Sequence, residues 1–322
     1  MWIGSTNEIG LLRTIQAKLA TVLAGAPRRQ GDHVLLVSDY GGTHKGSHFQ
    51  TYSFLAIDLP SAWVFLEECK QIRSASLGRR KMAYKNLNDV YRQRVLIQFL
   101  RAANTLNGLL VTFAIESTID SLFEENWNDV YSELPGLNSI KVSTLRKLFL
   151  VGHLGAISVC PWLSPGTHLT WITDDDDFTF NPSMIRSSTS ALGAIISEHA
   201  LNDLGHFKFG AASYVDVGRQ SEDMLALADL SCGTVSDTAH LWHILAEGES
   251  LGSNRSLKDM SIKEKAQVIA GWLAFDNSFT LKKVVLRIRR DTLGRFVCDR
   301  MKAECEPMPH FDPSEVLDRY FG

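Results

Sequence analysis

Cysteine is scarce in these 322 residues, and Cys69, Cys160, Cys232, Cys298 and Cys305 are odd in number and scattered. They make neither a disulfide framework nor a Cys-x-x-Cys knuckle, which argues for a reducing cytoplasm. No stretch approaches the roughly 20 apolar residues that span a bilayer. The start, Met1 to Glu8, lacks the basic residues and apolar run of a signal peptide. The expectation is a soluble, globular, intracellular chain with no membrane. Charge of one sign is also lacking. With 33 Lys+Arg against 36 Asp+Glu, the net charge of −3 excludes a polybasic binder. What is present is apolar: 45% of residues are hydrophobic, enough for a large core and against disorder.

The pattern alternates short apolar runs with helical spacing. Ile9, Leu11, Leu12, Ile15, Leu19, Val22 and Leu23 predict an amphipathic first helix, capped by Thr6 or Asn7. Residues 33–39 are almost wholly apolar and predict a central strand buried on both faces. A second strand over 51–58 makes a hairpin with it, and Pro60 opens a helix. Leu96, Phe99, Ala103 and Leu106 mark a buried helical stripe, with Asp89 as its cap and Gly108 as its end. Further strands are predicted at 109–115, 169–173 and 207–215. Helices are predicted near 143–158, from Pro182 through Ile196, over 221–245 and over 261–275. A basic hairpin at 284–289 turns at Asp291 to Gly294.

Three of these strands end in a carboxylate: Asp39, Glu116 and Asp174, the last opening the run 174–177. In α/β sheets ligands bind where strands end and helices begin. Carboxylates collected there repel one another unless a divalent cation neutralises them, and oxygen-only ligation suits Mg²⁺ or Mn²⁺. A pair of such ions, about 3.5–4 Å apart, holds an attacking water and a leaving oxygen in phosphodiester cleavage. A fourth acid, Asp229, stands alone in the apolar stretch 224–233, where an unpartnered carboxylate costs several kcal/mol. Taken singly, each strand-end Asp also reads as a turn former or cap, the run as a solvated loop, and Asp229 as a hydrogen-bonded core residue.

Val37-Ser38-Asp39-Tyr40-Gly41-Gly42 resembles the Asp-Glu-Ser-Gly strand end of the domain of unknown function 3800 family. Ala83-Tyr84-Lys85-Asn86-Leu87 is similar to that family's Lys-bearing segment. Trp171-Ile172-Thr173-Asp174 is similar to its aliphatic strand ending in Asp. Leu225-Ala226-Leu227-Ala228-Asp229-Leu230-Ser231-Cys232-Gly233 resembles its Leu-Gln-Leu-Ala-Asp-Leu-x-x-Gly helix. The resemblance covers roughly residues 32–240. It implies an RNase H-like fold with a metal-dependent nuclease-like centre built from Asp39, an Asp of the 174–177 run, and Asp229. Tyr40 departs from the family pattern, which has Glu there; Glu116 is the candidate substitute.

Other chemistries find less support. Gly41 to Ser47 follows a strand but lacks the residue order of a phosphate-binding loop. His44 and His48, or His240 and His243, have ligand spacing without a third ligand. Cys232 has no activating His, and Ser/His/Asp catalysis is read as having no Gly-x-Ser-x-Gly elbow to support it. Two basic patches stand out: Arg73, Arg79, Arg80, Lys81 and Lys85, and Lys282, Lys283, Arg287, Arg289, Arg290 and Arg295. Arg287 and Arg289 project to one side of their strand, a face for phosphate contacts or a charged sheet edge that discourages aggregation. Glu116, Asp120, Glu124, Glu125, Asp129 and Glu133 make an acidic stretch, a solvated helix face or a site for a protein partner.

The expected architecture is α/β, an RNase H-like mixed sheet flanked by helices. It has an N-terminal helix (1–30), a nuclease domain (31–247) and a C-terminal helix and basic hairpin extension (256–322). The expected function is a divalent-metal phosphodiesterase acting on DNA or RNA in bacterial defence. Asp39, Asp174 and Asp229 would bind Mg²⁺ or Mn²⁺, Glu116 would assist, and Lys85, Arg287 and Arg289 would meet substrate phosphate. The alternative is a catalytically silent RNase H-like interaction subunit of a larger assembly.

Overall fold

The apolar run at 33–39 folds as a central strand, and the sheet builds outward from it. The computed structural model describes residues 6–25, 28–42, 47–119, 121–123, 130, 134–138, 140–214, 219–248, 264–274 and 280–301. Strand β1 (His33–Gly41) pairs antiparallel with β2 (Phe49–Asp58), and β2 antiparallel with β3 (Gly108–Glu116). On its other side β1 pairs in parallel with β4 (His168–Thr173), and β4 in parallel with β5 (His206–Ala211). Strand β6 (Leu281–Arg290) adds in parallel to β3, and β7 (Phe296–Arg300) pairs antiparallel with β6. The seven-stranded order is β5-β4-β1-β2-β3-β6-β7. An antiparallel β1-β2-β3 meander, with β4 and β5 added in parallel beside β1, makes the sheet RNase H-like, as the sequence leads one to expect.

Helices cover both faces, which is why β1 to β3 are apolar on every side. One face carries α1 (Thr6–Leu23), α4 (Val142–Val159) and α5 (Pro182–His199), packed over Trp171, Phe54 and Phe113. The other carries α2 (Trp63–Ile72), α3 (Val90–Ala103), α6 (Arg219–Gly248) and α7 (Glu264–Ala274). Asp89 caps α3 by accepting from Tyr91 N at 3.2 Å. Asn181 caps α5 by accepting from Met184 N at 2.9 Å, with Pro182 in the first turn. Helix α1 lies against β6 and β7, so the N-terminal helix and the C-terminal hairpin share one core.

Several expectations change. Gly108 does not end α3; it opens β3, where a Cβ would come within 2.5 Å of the Ala56 carbonyl oxygen on β2. Strand β5 ends at Ala211 and turns there. The basic strand β6 is no sheet edge, because β7 covers it. Helix α4 and the turn after it, Val142–Trp162, are long and apolar enough to cross a membrane by length and composition. That segment is two-thirds buried here and serves as a core helix. Cys69, Cys160, Cys232 and Cys298 are buried and free. Outside the described residues lie the 43–46 part of the Gly41 to Ser47 loop, most of the acidic stretch (Asp120, Glu124, Glu125, Asp129, Glu133), the last position of the 207–215 strand, the ends of the 261–275 helix and Cys305. So do the side chains of His44, His240 and His243.

Candidate functional site

Side-chain alternation along β1 decides what faces what. Ser38 and Tyr40 point to the α4 face. Ser38 Oγ accepts from Trp171 Nε1 at 2.9 Å and meets the Tyr40 hydroxyl at 2.7 Å, and Thr173 Oγ1 donates to that hydroxyl at 3.0 Å. Asp39, between them, faces α6. A carboxylate in place of Tyr40 would therefore stand on the face away from Asp39.

Parallel register places Ser38 beside Thr173, so Asp39 and Asp174 leave adjacent strands at the same edge. Asp174 N donates to the Ser38 carbonyl at 3.2 Å, fixing that exit. Helix α6 crosses β1, β2 and β3 on the same face and brings Asp229 and Cys232 over it. Burial first, then the charges of Asp229 and Asp174, push the Asp39 carboxyl up to about 8. The Tyr40 N–H and the Cys232 thiol donate to it and oppose that rise. Asp229 is also raised, chiefly by burial and further by Asp174. It is held down by the Tyr84 N–H, which donates to its Oδ2 at 2.7 Å, and by Lys85 and Lys265. Asp39, Asp174 and Asp229 thus gather at one sheet edge, where the charge of Asp174 opposes ionisation of both Asp39 and Asp229 and that of Asp229 opposes ionisation of Asp39.

Asp175 and Asp176 of the run are otherwise engaged. Asp175 accepts from Ser213 Oγ at 2.5 Å. Asp176 forms a capping box with Thr179 and an ion pair with Lys147 at 2.6 Å. Asp174 is the member that interacts with Asp39 and Asp229.

Glu116 stands apart. Asp39 lies opposite Ser53, and Ser53 opposite Thr112, four residues before Glu116 on β3. At about 3.3 Å per residue that is roughly 13 Å further along and two strands away. Glu116 accepts instead from Arg290 N at 3.4 Å. Its level beside Asp39 is held by hydroxyls: Ser53 Oγ to Thr112 Oγ1 at 2.9 Å, and Thr112 Oγ1 to Ser231 Oγ at 2.6 Å.

Lys85 is exposed beside Asp229, on the 3-10 turn Tyr84–Asn86. The remainder of the first basic patch is mostly committed. Arg73 Nε donates to the buried Asp223 at 3.1 Å, Lys81 pairs with Glu222 at 2.9 Å, and Arg80 with Asp89 at 3.6 Å. Arg287 and Arg289 do project to one side of β6, while Leu286 and Ile288 are buried on the other. Both contact Asp299 Oδ2 at 3.2 Å.

Of two partners of the site, Lys265 was not singled out from sequence, and Cys232 was weighed there only as a nucleophile. Lys265 on α7 donates to the Tyr84 carbonyl at 2.9 Å and lies 4.4 Å over that ring. Cys232 sits 3.1 Å from Thr51 Oγ1, and burial followed by the Asp39 charge pushes its thiol well above the usual range, so it is no nucleophile. Contrary to the expectation from sequence, the order Gly-x-Ser-x-Gly does occur, at 248–252, directly after α6 in the chain and, beyond Gly248, outside the described residues. Gly233 carries the Tyr84 ring against α6, since a Cβ there would lie 2.3 Å from the ring.

No family model and no curated protein sequence matches the chain. Among solved structures it is similar to the ribonuclease H2 from Pyrococcus horikoshii OT3, at 9% identity over 75% of this chain and 85% of that one, with a TM-score of 0.34.

Proposed function

We propose that this chain is a divalent-metal-dependent phosphodiesterase acting on nucleic acid, with Asp39, Asp174 and Asp229 as its metal ligands. The observation that carries the reading is the raised Asp39 carboxyl among acids drawn from β1, the end of β4, and α6. The donor set is oxygen only, which fits Mg²⁺ or Mn²⁺ and not zinc. When bound, such ions supply charge neutralisation and an activated water.

The chain's own residues supply the rest. The Tyr84 N–H orients Asp229, and the Cys232 thiol orients Asp39. Lys85, with its ammonium on the exposed side of Asp229, meets a substrate phosphate, and Lys265 steadies the Tyr84 turn behind it. Arg287, level with Gly41 across β2 and β3, stands about 14 Å from β1 at ordinary strand spacing, on the face of Asp39. It and Arg289 lie within reach of a backbone extending from the centre. Glu116 is too far along β3 to ligate there.

Exposed aromatics support a substrate with unpaired bases. Phe180, 77% exposed, and Tyr214, 50% exposed, flank the loop after Asp174, with Tyr214 Oη donating to the Phe180 carbonyl at 3.2 Å. Base stacking on such rings is worth about 1–3 kcal/mol. Phe180→Ala should weaken single-strand binding by that amount, measured by fluorescence anisotropy, with the melting temperature unchanged because the ring buries little.

Membership of the domain of unknown function 3800 family, a role in bacterial defence, and a cytoplasmic location belong to the same reading. They rest on the sequence motifs and composition alone. The test of the activity is direct. The purified chain with Mg²⁺ or Mn²⁺ should cut DNA or RNA and should bind Mn²⁺ by calorimetry in an Asp229-dependent way. Neither cleavage nor Asp229-dependent binding would leave the silent interaction subunit as the answer.

A further inference from the structure

The opposite edge of the sheet carries a second, chemically different cluster. Strands β1 and β4 begin in register, His33 beside His168, and their imidazoles stack with centroids 4.7 Å apart and planes 24° apart. Asp32 precedes His33, and its Oδ1 lies 3.5 Å from His33 Nε2. One ligand atom from each of Asp32, His33 and His168 falls within 4.8 Å of the other two.

The backbone that presents them is fixed. His168 N donates to the Asp32 carbonyl at 2.7 Å, joining the two strand starts just where the ligands leave. The loop before Asp32 is tied down as Gln30 N donates to Asp58 Oδ2 at 2.6 Å. Gly31 is pressed against Pro60, where a Cβ would lie 2.6 Å from the proline ring. A zinc-like ion among them would take imidazole nitrogen and carboxylate oxygen at roughly 2.0–2.2 Å.

We propose that Asp32, His33 and His168 form a transition-metal site, distinct from the acidic centre. Two imidazoles and one carboxylate select Zn²⁺, Co²⁺, Ni²⁺ or Cu²⁺ over Mg²⁺. The His33 and Asp32 side chains are 55% and 71% exposed, so water fills the remaining coordination positions. Asp39 lies six positions along β1 from His33, about 20 Å at ordinary strand rise, so the sites load independently. A bound ion would clip the start of β1 to that of β4, two segments 135 residues apart in the chain.

The test uses the full chain without a histidine tag, titrated with Co²⁺ and followed by its visible ligand-field absorption. The expected result is a saturable spectrum, reversed by Zn²⁺, with affinity lowered at least tenfold by His33→Gln and by His168→Gln. His33 is exposed and His168 half-buried, and circular dichroism should confirm unchanged folding in both variants. Asp39→Asn and Asp229→Asn should leave the spectrum unchanged, and His168→Gln should leave any Mg²⁺-dependent cleavage unchanged. Absence of a Co²⁺ spectrum, or a spectrum indifferent to both histidine changes, or one lost in Asp39→Asn, would overturn the proposal without touching the nuclease reading.

Discussion

Asp39→Asn should abolish metal-dependent cleavage and at the same time make the metal-free protein more stable at pH 8. The carboxyl holds its proton up to about 8 in the folded chain, against 3.8 for its ordinary value. Between those values the folded state binds more protons than the unfolded one, so stability falls as pH rises from about 4 to about 8. Above 8 the cost is fully present; below about 4 it is gone. Asparagine keeps the shape and the acceptor for the Cys232 thiol and removes the charge. Each tenfold change in proton affinity is worth about 1.4 kcal/mol. A gain of at least about 1.4 kcal/mol at pH 8, shrinking toward zero near pH 4, is expected from urea denaturation without metal. With Mn²⁺ present the order should reverse, because wild type alone gains ligand-binding stabilisation. Cleavage should drop about 10³-fold or more, as when one member of a catalytic unit is removed. A variant less stable than wild type at pH 8 without metal would show that the carboxyl is not strained. Strain of this kind is a common cost of a functional site.

The centre of the sheet was legible because β1, β2 and β3 are buried on both faces, a pattern no amphipathic helix shares. Asp39 and Asp229 were legible for the same reason, each being a charge in an apolar run. Which member of 174–177 faces them was not, because it depends on Ser213 and Lys147, residues distant in sequence. Glu116 illustrates the limit of strand-end reasoning: the rule gives the edge, but not how far each strand runs past its neighbour. Arg73 counted as part of a basic patch until α6 supplied Asp223. The His33–His168 pair is invisible to local spacing, since only parallel register joins them. Tyr40 read as a missing carboxylate, yet alternation turns position 40 toward Trp171 and Thr173.

Gly233→Ala should destabilise the chain by about 1–3 kcal/mol, the usual range for overpacking. In an open helix the same change would stabilise by about 1 kcal/mol through helix propensity, so the sign itself tests the contact. The new Cβ would meet Tyr84 Cδ1 at 2.3 Å, Cγ at 2.4 Å and Cβ at 2.9 Å. These atoms lie close to the backbone, so the ring cannot swing clear alone. The turn at 84–86 must move, taking with it the N–H that donates to Asp229 and the neighbouring Lys85. Asp229 would then lose two influences that favour its ionised form, and Mn²⁺ affinity measured by calorimetry should fall. Adding Tyr84→Ala removes the clashing ring but keeps the backbone N–H. The double variant should therefore cost at least about 1 kcal/mol less than the two single changes together, and should recover Mn²⁺ affinity toward wild type. Additive stability losses, with Mn²⁺ binding untouched by Gly233→Ala, would mean that the Tyr84 turn does not position Asp229.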